Sequence, residues 1–363
     1  QMPRSVKTAI AVLTDRVPGA IFWVLRDGDV IWYNFSTMKI NTLLVVAALA
    51  LAGCTTANST KPLCGANCND PVIGNWSLDL GLDFMPAASM IVSRDSSGTP
   101  QALVLWRWAS PLYMKNVKIC GNKFSFEHPW GRKVCGFVQG CTLTAVAKRM
   151  DGTVEASITG RRNPEICSGV DTKNAKLGEG IDLLKNGLSD WVAMSSSGQM
   201  GWKITEEGGQ KILSNKLARD SKGKIEIGGV NIKTKRADFY DFNLEYDVRV
   251  PPKANSGVYL RGRFEIQVVD SFGKEVDSHN MAAYYGRVAP KVAVEKKPGE
   301  WQHVSVTLYK RHLTVVLNGT TIIENAPVVG VTGGAIDANL FAAGPIYLQG
   351  DHSDADFKNM ILR

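Results

Sequence analysis

The chain has 363 residues and a formal charge of +8, with 44% hydrophobic and 21% charged side chains. That balance belongs to a folded globular protein and excludes a disordered one. Its 42 basic residues are dispersed among 34 acidic ones without a Lys/Arg block, so nucleic acid is not an expected partner.

Residues 1–37 precede Met38 and are expected to lie upstream of the true start and outside the fold. From Met38 the chain reads MKINTLLVVAALALAGC: a basic Lys39, an apolar run from Leu43 to Ala50, then Leu51-Ala52-Gly53-Cys54. The run is too short to span a bilayer, and small residues before a cysteine form a cleavage pattern. Residues 38–53 therefore resemble a bacterial lipoprotein signal peptide, with Cys54 lipidated as the mature N-terminus. Thr55 rather than Asp after Cys54 favours the outer membrane, with the protein facing the periplasm and the lipid as its only membrane contact. Residues 54–63 form a small polar tether. The 310 residues from Cys54 to Arg363 are enough for two domains with proper cores.

The remaining cysteines, Cys64, Cys68, Cys120, Cys135, Cys141 and Cys167, all fall in residues 64–170. An even set in an exported protein reads as three disulfides of undetermined pairing. A zinc site is disfavoured, because only His128 lies in that segment and no Cys-x-x-Cys pair occurs. Short β-type runs (Met90-Ile91-Val92, Ala102–Trp108, Lys123–Phe126, Thr142–Ala147) alternate with turn signals such as Gly121-Asn122 and Asp151-Gly152. The segment is expected to be a small disulfide-stapled β domain. Trp106, Trp108 and Trp130 could stack on sugars, but core packing is the favoured role.

A Gly/Lys/Asn stretch from Ser168 to Gly180 marks a boundary, and residues 181–363 form a second domain. Tyr240–Val250 alternates, with Phe242, Leu244, Tyr246 and Val248 on one face and Asn243, Glu245, Asp247 and Arg249 on the other. Val258–Val268 reads the same way. Leu260, Phe264 and Ile266 point inward, while Tyr259, Arg261, Arg263, Glu265 and Gln267 form a polar ladder. Gln302–Leu308 and Leu313–Leu317 are further strands, and Asn318-Gly319 is a tight hairpin turn. The fold class is all-β, a two-sheet sandwich after the small β domain. The polar ladder suits sugar hydroxyls, and an ordinary solvated, salt-bridged sheet face fits the pattern equally well. No Ser-His-Asp triad, phosphate loop or dinucleotide fingerprint is present.

Several segments carry a family resemblance: DLLKNGLSDW (Asp182–Trp191), ANSGVYLRGRFEIQVVDSFG (Ala254–Gly273), AAYYGRVAP (Ala282–Pro290), PGEWQHVSVTLYKRHLTVVLNG (Pro298–Gly319) and GPIYLQGDHSDADFKNMILR (Gly344–Arg363). Together they resemble the 3-keto-disaccharide hydrolase domain family over residues 181–363. The resemblance implies a concanavalin-like jelly-roll sandwich acting on glycosides already oxidised at C3, with a glucoside 3-dehydrogenase upstream to supply the ketone. A C3 ketone acidifies the C2 proton, the C1 substituent leaves by β-elimination, and water adds back. Such a site needs a base near C2, donors for the enolate oxygen and an acid for the leaving group.

From that chemistry Glu265 is the expected base, with Glu245 second. Arg261 and Arg263 are expected to stabilise the enolate, and Tyr285 or His352 to protonate the leaving oxygen. Tyr259, Gln267, Gln349, Arg287 and Asp351 are expected to hold the sugar. No cofactor is expected. Asp351-His352-Ser353-Asp354-Ala355-Asp356 could ligate a divalent metal only if the segment is a loop, and a metal is not the favoured reading. The alternative function is a non-catalytic carbohydrate-binding lipoprotein using the same face. An endo-glucanase of the same sandwich is disfavoured, because Glu265-Ile-Gln-Val-Val-Asp270 lacks a Glu-x-Asp-x-x-Glu strand.

Overall fold

The structure is a computed structural model that describes residues 21–26, 29–34, 70–195, 200–222 and 225–363. The lipoprotein-type stretch, Cys54, Cys64 and Cys68 lie outside the described residues. Residues 1–59 form one compact unit and residues 60–363 another. In the first, β1 (Ile21–Arg26) and β2 (Asp29–Asn34) pair as an antiparallel hairpin.

The second unit opens with β3 (Gly74–Asp79), β4 (Ala87–Arg94), β5 (Pro100–Trp106), β6 (Leu112–Tyr113), β7 (Lys115–Cys120), β8 (Lys123–His128), β9 (Arg132–Gln139), β10 (Thr142–Arg149) and β11 (Val154–Arg162). These form one antiparallel sheet in the order β6-β5-β4-β3-β11-β10-β9-β8-β7, and β5 and β7 come together so that the sheet curls into a barrel. The alternating inward residues Trp76, Met90, Val104, Trp106, Phe124, Phe126, Leu143 and Ile158 fill it. Trp106 is a core residue, as its favoured reading required, whereas Trp108 and Trp130 are exposed.

The expected three-disulfide staple needs correction, because Cys120, Cys135 and Cys167 are free and exposed. Cys141 is disulfide-bonded. Cys120 lies opposite Lys123, and Lys123 lies opposite Phe137, so Cys120 and Cys135 sit two strands apart and out of line. Two strand spacings plus two residues of rise separate them by about 11 Å, too far for an S–S bond. The barrel instead rests on a continuous ladder and a filled interior.

After a 3-10 turn at Thr172–Asn174 come β12 (Ile181–Asp182), β13 (Trp191–Ala193), β14 (Trp202–Glu207), β15 (Gln210–Asn215), β16 (Ala218–Arg219), β17 (Ile225–Ile227), β18 (Ile232–Thr234) and β19 (Phe242–Arg249). They continue with β20 (Asn255–Leu260), β21 (Phe264–Val269), β22 (Gln302–Tyr309), β23 (His312–Leu317), β24 (Thr320–Pro327), β25 (Tyr347–Leu348) and β26 (Ala355–Leu362). One sheet runs β14-β15-β26-β19-β22-β23-β24 with β12 beside β26, and the other runs β13-β18-β25-β20-β21. Leu244, Tyr246 and Val248 from the first sheet and Val258, Phe264 and Ile266 from the second share one core, forming a two-sheet sandwich. Asn318 and Gly319 turn β23 into β24 with φ of 50° and 84°, the left-handed pair that a two-residue hairpin requires.

Barrel and sandwich are joined by burial and by hydrogen bonds. Ala87 and Leu105, on barrel strands, belong to the sandwich's hydrophobic cluster. The Arg287 guanidinium donates to Ser89 Oγ at 2.6 Å and to Val331 O at 2.6 Å.

Candidate active site

The residues expected to form one long strand are instead a hairpin. β20 and β21 are joined by Arg261-Gly262-Arg263, with φ of 53° at Arg261 and 67° at Gly262. Folding back at this point makes Tyr259 and Glu265 direct cross-strand partners, and Gly257 and Gln267 likewise. Partners of this kind share a face, so Tyr259, Glu265 and Gln267 still lie together on the side of the sheet away from the core. The two arginines do not, because turn residues leave the period-2 alternation.

Glu265 stands in a cavity of about 320 Å³. The sandwich contributes Asn255, Tyr259, Tyr285, Gly333, Gly334, Tyr347, Gln349, Asp351 and His352 to its walls, and barrel loops contribute Phe84, Met85, Trp108 and Ala109. Glu265 is only 3% exposed. Burial pushes its pKa up to about 8; the Tyr259 hydroxyl opposes the shift and the Asp351 charge adds to it. Tyr259 O–H lies 2.9 Å from Glu265 Oε2 and 2.8 Å from Gly333 O. With Glu265 protonated, its O–H can donate to Tyr259, and Tyr259 to Gly333. With Glu265 ionised, the Tyr259 proton turns to the carboxylate. The same heavy atoms therefore support both states.

Small residues make room for this pair. A Cβ on Gly257 would collide with Glu265 Oε1, and one on Gly334 would lie 2.8 Å from the Tyr259 hydroxyl. Tyr347 stacks on Tyr259 with ring centroids 4.1 Å apart, and Asn231 Nδ2 donates to its hydroxyl at 3.0 Å. This packing holds Tyr259 against the carboxyl.

The opposite wall supplies a second acid–base pair. Asp351 Oδ1 accepts from His352 Nδ1 at 2.5 Å, which raises the His352 pKa despite partial burial. Among the residues lining the cavity, His352 is the group that can carry positive charge. The Tyr285 pKa is raised by burial and by the Glu265 charge, with Ser110 of the barrel opposing the shift. Ser110 Oγ bonds His279 Nε2 at 2.6 Å. Gln349 Oε1 is buried and has no partner in the protein, a free acceptor at the cavity wall.

Glu265, Tyr259, Tyr285, Gln349, Asp351 and His352 thus come together, while the other expected site residues do not. Arg261 is fully buried, its Nη1 reaching Leu340 O and Ala342 O at 3.4 Å and its guanidinium lying 4.6 Å from the Tyr240 ring centroid. Arg263 pairs with Asp337, Nε to Oδ1 at 2.7 Å, and braces the turn through Arg261 O. Glu245 sits on the outer face of the other sheet, paired to Arg363 at 2.6 Å. Arg287 is taken up by the seam with the barrel. Gln267 lines a neighbouring cavity and donates to Asn255 Oδ1 at 3.3 Å.

The Asp351–Asp354 segment is a loop, but its acids diverge. Asp354 accepts from Leu217 N, and Asp356 holds Ser214, Lys216 and Arg249. Among the described residues, no group of three His, Cys, Asp or Glu side chains converges on a metal position. Sequence reasoning missed Asn255, Phe84, Met85 and Gly333. The Gly262 between two arginines was the available signal for the turn; nothing local signalled the barrel loops.

A family model described as the 3-keto-alpha-glucoside-1,2-lyase-like domain matches residues 184–363. Among solved structures, a candidate glycosyl hydrolase from Parabacteroides distasonis is 25% identical, covering 51% of this chain and 83% of that one with a TM-score of 0.39. Another from the same organism is 22% identical over 51% of this chain and 99% of that one, with a TM-score of 0.38. A carbohydrate-binding module, CBM66, from Bacillus subtilis is 15% identical over 47% and 93%, with a TM-score of 0.28. No curated protein matches the chain. Residues 184–363 are a domain of the 3-keto-alpha-glucoside-1,2-lyase-like family, which places this part of the chain among carbohydrate-active proteins.

Proposed function

We propose that the protein cleaves glycosides oxidised at C3 of the sugar by elimination followed by hydration. The observation that carries this reading is a buried carboxyl, Glu265, whose affinity for a proton is raised to the range where it can take one from a carbon acid near neutral pH. Ionised Glu265 removes the C2 proton and the electron pair moves onto the C3 oxygen as an enolate. The enolate then re-forms the ketone and expels the C1 oxygen, which is protonated by His352 or Tyr285. Water adds at C1 of the resulting enone and C2 regains a proton, so the net change is hydrolysis. With both arginines outside the cavity, His352, the tyrosine hydroxyls and the Asn255 and Gln349 amides are the donors that can steady the enolate.

Lipid attachment at Cys54 would hold the enzyme on the outer membrane facing the periplasm, where a glucoside 3-dehydrogenase would supply its substrate.

The test is turnover of a 3-keto-glucoside in deuterated water. Elimination puts deuterium at C2 of the product, whereas displacement at C1 leaves C2 unlabelled and would overturn the route. The kcat/KM should rise with pH through about 8 as Glu265 ionises. A non-catalytic carbohydrate binder would show no turnover and equal sugar affinity before and after Glu265→Gln.

A further inference from the structure

Two aromatic rings face the cavity from the barrel, and the chemistry at Glu265 does not use them. Phe84 is 62% exposed and Trp108 48% exposed, and both line the cavity. Two exposed rings on the wall of one cavity offer the kind of apolar surface that lines ligand grooves. Their backbones are held in place at a cost. Met85, Arg107 and Ala109, the residues beside them, have φ of 48°, 74° and 62°, a region that strains side chains other than glycine.

Arg107 ties the two loops together. Its guanidinium donates to Phe84 O at 2.6 Å and to Met85 O at 3.2 Å, and lies 4.3 Å from the Trp108 ring centroid. The Arg107 carbonyl accepts from Gly334 N at 2.8 Å. A Cβ on Gly333 would lie 2.7 Å from the backbone N and O of Ala109, so the barrel loop rests directly on the segment that bonds Tyr259.

We propose that Phe84 and Trp108 form an aromatic platform for the leaving group of the glycoside, selecting leaving groups with a flat apolar face. A phenolic ring and the C–H face of a second sugar both present such a face. The assignment rests on the function proposed above: the oxidised ring must seat at Glu265, so the rest of the glycoside meets the remaining wall. The barrel is then a specificity element of the enzyme rather than a separate module.

The experiment compares 3-keto-glucosides of methanol, 4-nitrophenol and glucose with wild type, Trp108→Ala, Phe84→Ala and Trp108→Phe. The ratio of kcat/KM for the 4-nitrophenyl or glucosyl substrate to that for the methyl substrate should fall roughly tenfold in Trp108→Ala, mainly through KM, and recover largely in Trp108→Phe. A larger loss for one of the two substrates identifies which flat face the platform favours. Ratios unchanged in both alanine variants overturn the proposal. Calorimetric titration with unoxidised 4-nitrophenyl glucoside gives a readout free of turnover. Affinity should drop about tenfold in Trp108→Ala, and equal affinity overturns the platform. If wild type cleaves no 3-keto-glucoside, the proposed chemistry fails and the titration alone decides the platform.

Discussion

The two outer faces of the sandwich start from the same sequence pattern and end as opposites. On β19, Glu245 pairs with Arg363, Asp247 with His303 and Asn359, and Arg249 with Glu207 and Asp356. These charges are half in water and matched by partners, an arrangement of low energetic consequence. On the β20–β21 hairpin, Glu265 is buried and meets a phenol rather than a cation. One face is a solvated ion-pair lattice, and the other stores a carboxyl whose ionisation is costly. The difference is the cover: barrel loops and the 333–334 segment close over the second face, while nothing described closes over Glu245.

The largest expected effect is on Glu265 itself. Glu265→Gln keeps the volume and should lower turnover of a 3-keto-glucoside by about 10²-fold or more, measured at saturating substrate. A variant with normal turnover would remove Glu265 from the role of base. Gly257→Ala tests the same position without touching the carboxyl. Its methyl group would displace Glu265 Oε1, and a displacement of about 1 Å can cost on the order of 10²-fold in rate. Unchanged kinetics with a folded variant would mean the Glu265 rotamer is not held.

A third prediction concerns stability. Glu265 holds its proton up to about pH 8 when folded, against an ordinary value of 4.5. Its contribution to stability is therefore fully present below about pH 4.5 and is lost as pH rises through about 8. The loss is at most on the order of 5 kcal/mol. The Tm of the wild type should fall relative to Glu265→Gln between pH 5 and 9, and parallel curves would show that the carboxyl ionises as freely folded as unfolded. The smallest effect should come from the opposite face. Glu245→Gln removes one exposed ion pair worth roughly 0–1 kcal/mol and should change kcat/KM by less than about threefold. A loss as large as that of Glu265→Gln would erase the contrast between the faces.

The alternation of Phe242, Leu244, Tyr246 and Val248 determined a strand and its buried side, and Asn318-Gly319 determined a hairpin, because backbone pleat and left-handed φ are properties of neighbouring residues. The shared face of Tyr259, Glu265 and Gln267 was legible for the same reason and survives the fold-back, since cross-strand partners keep a common side. The break at Arg261-Gly262-Arg263 was written more faintly, and it sent both arginines to carbonyls and to Asp337 instead of to the cavity. The fate of the acids was not local at all. Glu245 and Glu265 occupy equivalent places in their own alternating runs, and burial distinguishes them only when distant chain arrives. Ser110 reaches His279 across 169 residues of sequence, and Arg107 reaches Gly334. A carboxyl's proton affinity depends on the water it loses, and which face loses its water was decided by where the barrel docks.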